Sequence, residues 1–118
     1  MKKLIYIAGA LNSDAVGYIK NFHNMMVIAE GVRREGFAVF VPALDFMMGV
    51  MWGDYEYADY FENSRPILNR CDAVVVVPGW EESKGTKKEI SSAILQNIPV
   101  FYNLGSLVEW RDENKIFS

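Results

Sequence analysis

One cysteine, one histidine and four prolines in 118 residues leave several classes of function without their usual residues. A lone Cys71 cannot close an internal disulfide, so the fold must rest on its core, and a reducing cytoplasm is the expected setting. His23 sits inside a helical pattern with no cysteine or carboxylate at ligand spacing, and no metal site is expected. Long apolar runs are missing as well: nothing reaches membrane-spanning length, and no signal peptide is expected. Positive charge is not in excess. Twelve Lys and Arg against fifteen Asp and Glu give a net charge of −3 with the basic residues scattered, which argues against a nucleic-acid polymer as partner. The G-x-G-x-x-G fingerprint of dinucleotide enzymes is absent, as are internal repeats and low-complexity segments.

What the chain does have is apolar content. At 51% hydrophobic and 23% charged, residues 1–118 read as a single globular domain with one core and no linker. Its organising stretch is 71–93, CDAVVVVPGWEESKGTKKEISSA. Residues 73–77 are apolar and mostly β-branched without alternation, the pattern of a parallel strand covered on both faces. Pro78 and Gly79 end that strand. Ser83, Gly85 and Thr86 then open a helix whose first turns carry Lys84, Lys87 and Lys88. Unpaired backbone N–H groups and positive charge thus meet at a strand's carboxyl end, which suits an anion such as phosphate.

Taken in order, 3–8 is a first strand ended by Gly9, and 9–17 is a small, polar loop containing Asn12 and Ser13. Helical spacing of Phe22, Met25, Met26, Ala29 and Val32 predicts a helix over 18–35, closed by Gly36. A second strand covers 37–41 and stops at Pro42. Residues 43–53, heavy in Met, Phe and Trp, read as a loop able to wall an apolar pocket. A helix follows over about 55–69, with Pro66 disturbing its last turn. The helix from Ser83 runs to about Gln96, capped near Asn97, and 98–102 is a fourth strand, while 104–118 shows no decisive pattern. The β-α-β-α-β-α-β order predicts a three-layer α/β fold, Rossmann-like or flavodoxin-like, with a mostly parallel sheet of four to five strands. The loops after Ala8, Val41, Val77 and Tyr102 should gather at one functional edge.

YIAG with Tyr6 on the first strand, CDAVVVVPGW, and SKGTKKE with Glu89 four residues after Gly85, followed by Ala93, together resemble the nucleoside 2-deoxyribosyltransferase-like superfamily over roughly residues 4–102. The chain is similar to short members of it and to enzymes that cleave nucleoside 5'-monophosphates. The resemblance implies that Glu89 is the nucleophile that attacks the anomeric carbon, that Tyr6 orients it, and that no cofactor takes part. A carboxylate suits this step because it faces an oxocarbenium-like centre and can form a glycosyl ester. The position six residues before the nucleophile contacts the 5' end of the substrate, and serine there, as in Ser83, goes with a 5'-phosphate. The family carries an acid for the leaving base where this chain has Ser64. Asp59, Glu62 or Asp45, or a water, is then expected to substitute for it. Substrate contacts are expected from Gly9, Asn12, Ser13, Asp45, Phe46, Ser64, Gly79, Trp80, Ser83, Lys84, Gly85 and Thr86, with Phe46 or Trp52 stacking on a base and Asn103 a candidate to close the site. Relatives are dimers or larger, so a homo-oligomer is expected.

Plainer readings exist for the same residues. Thr86 and Glu89 fit the T-x-x-E capping box, which gives Glu89 a structural role. Ser83 fits a turn, Asp72 a strand start, and Cys71 a core edge. At the level of function, PGW followed by GTKKE also resembles loosely the PGGxGTxxE signature of cytokinin-activating phosphoribohydrolases. A nucleotide-binding module without catalysis is the third reading, favoured by Ser64.

The serine at position 83 generates the first prediction. Ser83→Asp replaces a donor to phosphate with a like charge, and should weaken nucleoside monophosphate binding by about 2 kcal/mol or more in calorimetry. Equal binding of nucleoside and monophosphate by the unmodified protein would overturn the phosphate assignment.

Overall fold

Residues 4–8 spell LIYIA, and a strand turns alternate side chains to opposite faces. In a computed structural model, which describes residues 1–11 and 15–116, this segment is β1 (Leu4–Ala8) at the centre of the sheet. Ile5 and Ile7 enter one apolar cluster and Tyr6 and Ala8 another, all four fully buried. Each large apolar side chain removed from water there contributes about 2 kcal/mol.

After β1 come α1 (Ala15–Arg34), β2 (Ala38–Phe40), α2 (Ala43–Trp52), α3 (Tyr57–Leu68), β3 (Ala73–Val76), a short 3-10 turn (Trp80–Glu82), α4 (Lys84–Leu95), β4 (Val100–Phe101) and α5 (Leu104–Ile116). The four strands lie in the order β2-β1-β3-β4 and every pair is parallel. Tyr6 stands opposite Val74 and Ala8 opposite Val76. Met25, Ala29 and Val32 of α1 pack with Leu107 of α5 on the Ile5 side, and Leu68 of α3 with Ile90 and Ala93 of α4 on the Tyr6 side. The expected three-layer α/β architecture is therefore present, with a four-stranded, all-parallel sheet.

Three elements depart from the sequence reading. The apolar stretch expected as a loop is the helix α2: Ala, Leu and Met are strong helix formers, and Gly53 in the left-handed region (φ 76°) stops it by donating its N–H to the Gly49 carbonyl. The undecided C-terminal stretch is α5, which presents Leu104, Leu107 and Trp110 to the core, a stripe too narrow to stand out in the sequence. α1 begins three residues earlier than its apolar spacing indicated. Pro66 is accommodated near the end of α3, and Asn97 takes the left-handed conformation (φ 59°) just after the C-cap of α4.

Gly9 marks a close approach. A Cβ built there lies 2.9 Å from Val77 Cβ and 3.0 Å from Met25 Cε, so the chain leaving β1 passes against β3 and α1 with no room for a side chain. Gly9→Ala should destabilise the fold by about 1–3 kcal/mol in urea unfolding, because buried Val77 is held by its N–H bond to the Ala8 carbonyl. An unchanged midpoint would show that the backbone yields there at no cost.

Candidate active site

The sheet order places the chain's reversal between β1 and β3, since β2 lies on one side of β1 and everything later lies on the other. Loops leaving two such strands diverge and open a crevice at their carboxyl ends. Here the crevice is a cavity of about 1100 Å³. Its floor is Gly9, Ala10 and Leu11 after β1 and Gly79 after β3; α4 supplies Lys84, Gly85, Thr86, Lys88 and Glu89; α3 supplies Tyr60, Phe61 and Ser64. Asn21 of α1, Pro42, Val50, Tyr55, Glu82 and Ser83 complete the wall.

Within it, the Tyr6 hydroxyl donates a hydrogen bond to the Glu89 carboxylate. Tyr6 is fully buried, whereas Glu89 is half-buried and reaches the cavity. A rigid, core-anchored donor thereby fixes one carboxylate at the mouth of the sheet. Ser83 is the N-cap of α4, and its Oγ accepts from Thr86 N at 3.2 Å and from Thr86 Oγ1 at 2.9 Å. With both acceptor positions engaged, the Ser83 hydroxyl proton is left for donation, the polarity that an anionic oxygen needs. The capping box that T-x-x-E also allowed does not form at Glu89: the cap is Ser83, Thr86 is its N3 partner, and Glu89 lies beyond the first turn, bonded to Tyr6. A capping box does occur on α3, where Asp59 accepts the Glu56 N–H at 2.7 Å.

That capping role corrects the expectation for Asp59. Its exposed carboxylate, like that of Glu62, is not among the residues lining the cavity, because residues 60, 61 and 64 share the helix face that turns inward and 59 and 62 are rotated off it. Ser64 does line the cavity, 7% exposed, with its Oγ donating to the Tyr60 carbonyl at 2.7 Å. Trp80, expected to touch substrate, instead packs its ring against Tyr102 (centroids 5.4 Å apart) and the Tyr6-side core. Trp52 is 75% exposed on α2, outside the lining. Asn103 caps α5, its Oδ1 accepting from Ser106 N at 2.8 Å, and Asp72 accepts the Leu4 N–H at 2.7 Å. Asn12 and Ser13 lie outside the described residues, as do the side chains of Asp45 and Phe46.

The model of a family described as a domain of unknown function, DUF4406, matches residues 3–102. The chain belongs to that family. No curated protein matches it. The match covers β1 through β4, so every strand that shapes the crevice, and α4 with Ser83 and Glu89, falls inside the DUF4406 region.

Several lining residues of this DUF4406 chain were not singled out from sequence. Tyr55 and Tyr60 come together with ring centroids 5.4 Å apart, and Lys88 Nζ stands 5.9 Å from the Phe61 ring. The aromatic cluster YEYADYF was the available signal, obscured because it reads equally well as a core stripe. Among the described residues, no group of three or more His, Cys, Asp and Glu is placed to hold a metal ion, and no helix is long and apolar enough to cross a membrane.

Cys71 takes no part in the cavity. Its thiol is buried, donates to the Ile67 carbonyl at 3.3 Å, and is pushed up to about 11, first by desolvation and then by the neighbouring Asp72 charge. A thiolate is thus disfavoured in the folded state. In the unfolded chain the group titrates near its ordinary value of 9, so this contribution to stability is present below pH 9 and is lost as the pH rises toward 11. A disulfide reagent at neutral pH should label native protein only as fast as it opens, and label urea-unfolded protein at once. Rapid labelling of the native form would contradict the burial.

Proposed function

We propose that the protein cleaves the N-glycosidic bond of a nucleoside 5'-monophosphate, deoxyribose preferred, by hydrolysis or by deoxyribosyl transfer. The single observation that carries this reading is the hydrogen bond from Tyr6 to Glu89 inside the crevice. A Glu89 oxygen attacks the anomeric carbon; the bond to the base nitrogen breaks with its electron pair passing to the base, which takes up a proton. The resulting ester is cleaved by water, or by the nitrogen of a second base in transfer. Tyr6 keeps the carboxylate oriented through the donated hydrogen bond. The 5'-phosphate is held by the Ser83 hydroxyl and by Lys84 at the start of α4, and the reaction needs no cofactor.

Protonation of the leaving base falls to water, since Asp59 serves as a cap, Glu62 lies off the cavity lining and the Ser64 hydroxyl is already given to the Tyr60 carbonyl. The same engagement of Ser64 favours a second reading, a nucleotide-binding module without turnover. A second copy of the chain is proposed to cover the apolar surface of α2, where Met51 and Trp52 are 79% and 75% exposed beside cavity-lining Val50. The cytoplasm is the compartment proposed, since a lone cysteine offers the fold no internal disulfide.

The test is base release from a panel of nucleoside and deoxynucleoside monophosphates by the unmodified protein and by Glu89→Gln, with melting temperature read on the same samples. Base release should fall by about three orders of magnitude or more, because an amide cannot form the glycosyl ester, while the melting temperature holds or rises. Cleavage by the variant at the unmodified rate would remove the nucleophile assignment, and tight binding with no cleavage by either would favour the binding module.

A further inference from the structure

The proposed reaction leaves unassigned what recognises the base. α1 packs on the Ile5 side of the sheet and α4 on the Tyr6 side, so Asn21 and Glu89 reach the one cavity from opposite faces. Displacement at an anomeric carbon puts nucleophile and leaving group on opposite faces of the sugar. A sugar whose reactive face meets Glu89 therefore turns its base away from α4, toward the wall to which α1 contributes. Asn21 is half-buried there, and among the described residues its carboxamide is engaged by no neighbour.

We propose that Asn21 reads the hydrogen-bonding edge of the base, which makes it the specificity-determining residue of the site. This rests on the glycosidic reading above. A carboxamide offers a donor and an acceptor side by side, the complement of a base edge that presents an adjacent acceptor and donor. The occupant is accordingly a heterocycle with such an edge, an aminopurine or aminopyrimidine being the simplest. A pocket built to pair such an edge discriminates strongly against a base that lacks it, because the amide is then left unpaired.

Calorimetry on Glu89→Gln protein, which holds the nucleotide without consuming it, tests the assignment with four deoxynucleoside monophosphates and with 2-deoxyribose 5-phosphate, the same ligand without a base. Adding Asn21→Ala should weaken the preferred nucleotide about tenfold or more and narrow the spread among bases, yet leave 2-deoxyribose 5-phosphate within about twofold. Asn21→Asp, equal in shape but lacking the donor, should reorder the bases; it also guards against a folding defect in the alanine variant. Equal losses for the nucleotide and for 2-deoxyribose 5-phosphate, or an unchanged spread among bases in both variants, would overturn base reading by Asn21 alone. Failure of the Glu89→Gln protein to bind any nucleotide would overturn the glycosidic reading beneath it.

Discussion

Everything in this molecule depends on β1 being buried on both faces. Ile5 and Ile7 bind the sheet to α1 and α5, Tyr6 and Ala8 bind it to α3 and α4, and the strand pairs on either side with β2 and β3. Five residues thus join both helical layers and both halves of the sheet. Because Tyr6 is one of them, the hydroxyl that meets Glu89 is aimed by the core and not by a loop. The alignment of the carboxylate is then a property of the fold, and is as rigid as the packing around it.

The fold was largely legible in the sequence because its strands are unambiguous. AVVVV allows no other reading, and the Gly and Pro residues after β1, β2 and β3 stand where the strands stop. What failed did so for physical reasons. α2 was hidden by composition, since Met, Phe and Trp suggest a pocket wall more strongly than they suggest a helix. α5 was hidden by its narrow buried stripe, although Asn103 as N-cap and the spacing of Leu104, Leu107 and Trp110 were there to be read.

The site divided along the same line. Residues held close to a strand end or a helix start, Gly9, Gly79, Ser83, Lys84, Gly85, Thr86 and Glu89, line the cavity. Residues whose place depends on which way a helix or a turn rotates did not follow from sequence. Asp59 and Ser64 are five residues apart on one helix, but only Ser64 faces inward; Trp80 follows cavity-lining Gly79, and the 3-10 turn sends its ring to Tyr102. Tyr60, Phe61 and Asn21 come from elements distant in sequence, which only tertiary packing brings to one place.

The sheet's two borders carry a further consequence. β2 has three residues and β4 two, so each outer strand offers few unpaired backbone groups. Edges this short give an incoming strand almost nothing to pair with, which protects a core rich in valine and isoleucine from fibril-like stacking. Contact between copies of the chain is thereby left to helix surfaces, where side-chain shape selects the partner, and the molecule can tolerate the bare apolar face of α2 without inviting strand-by-strand growth.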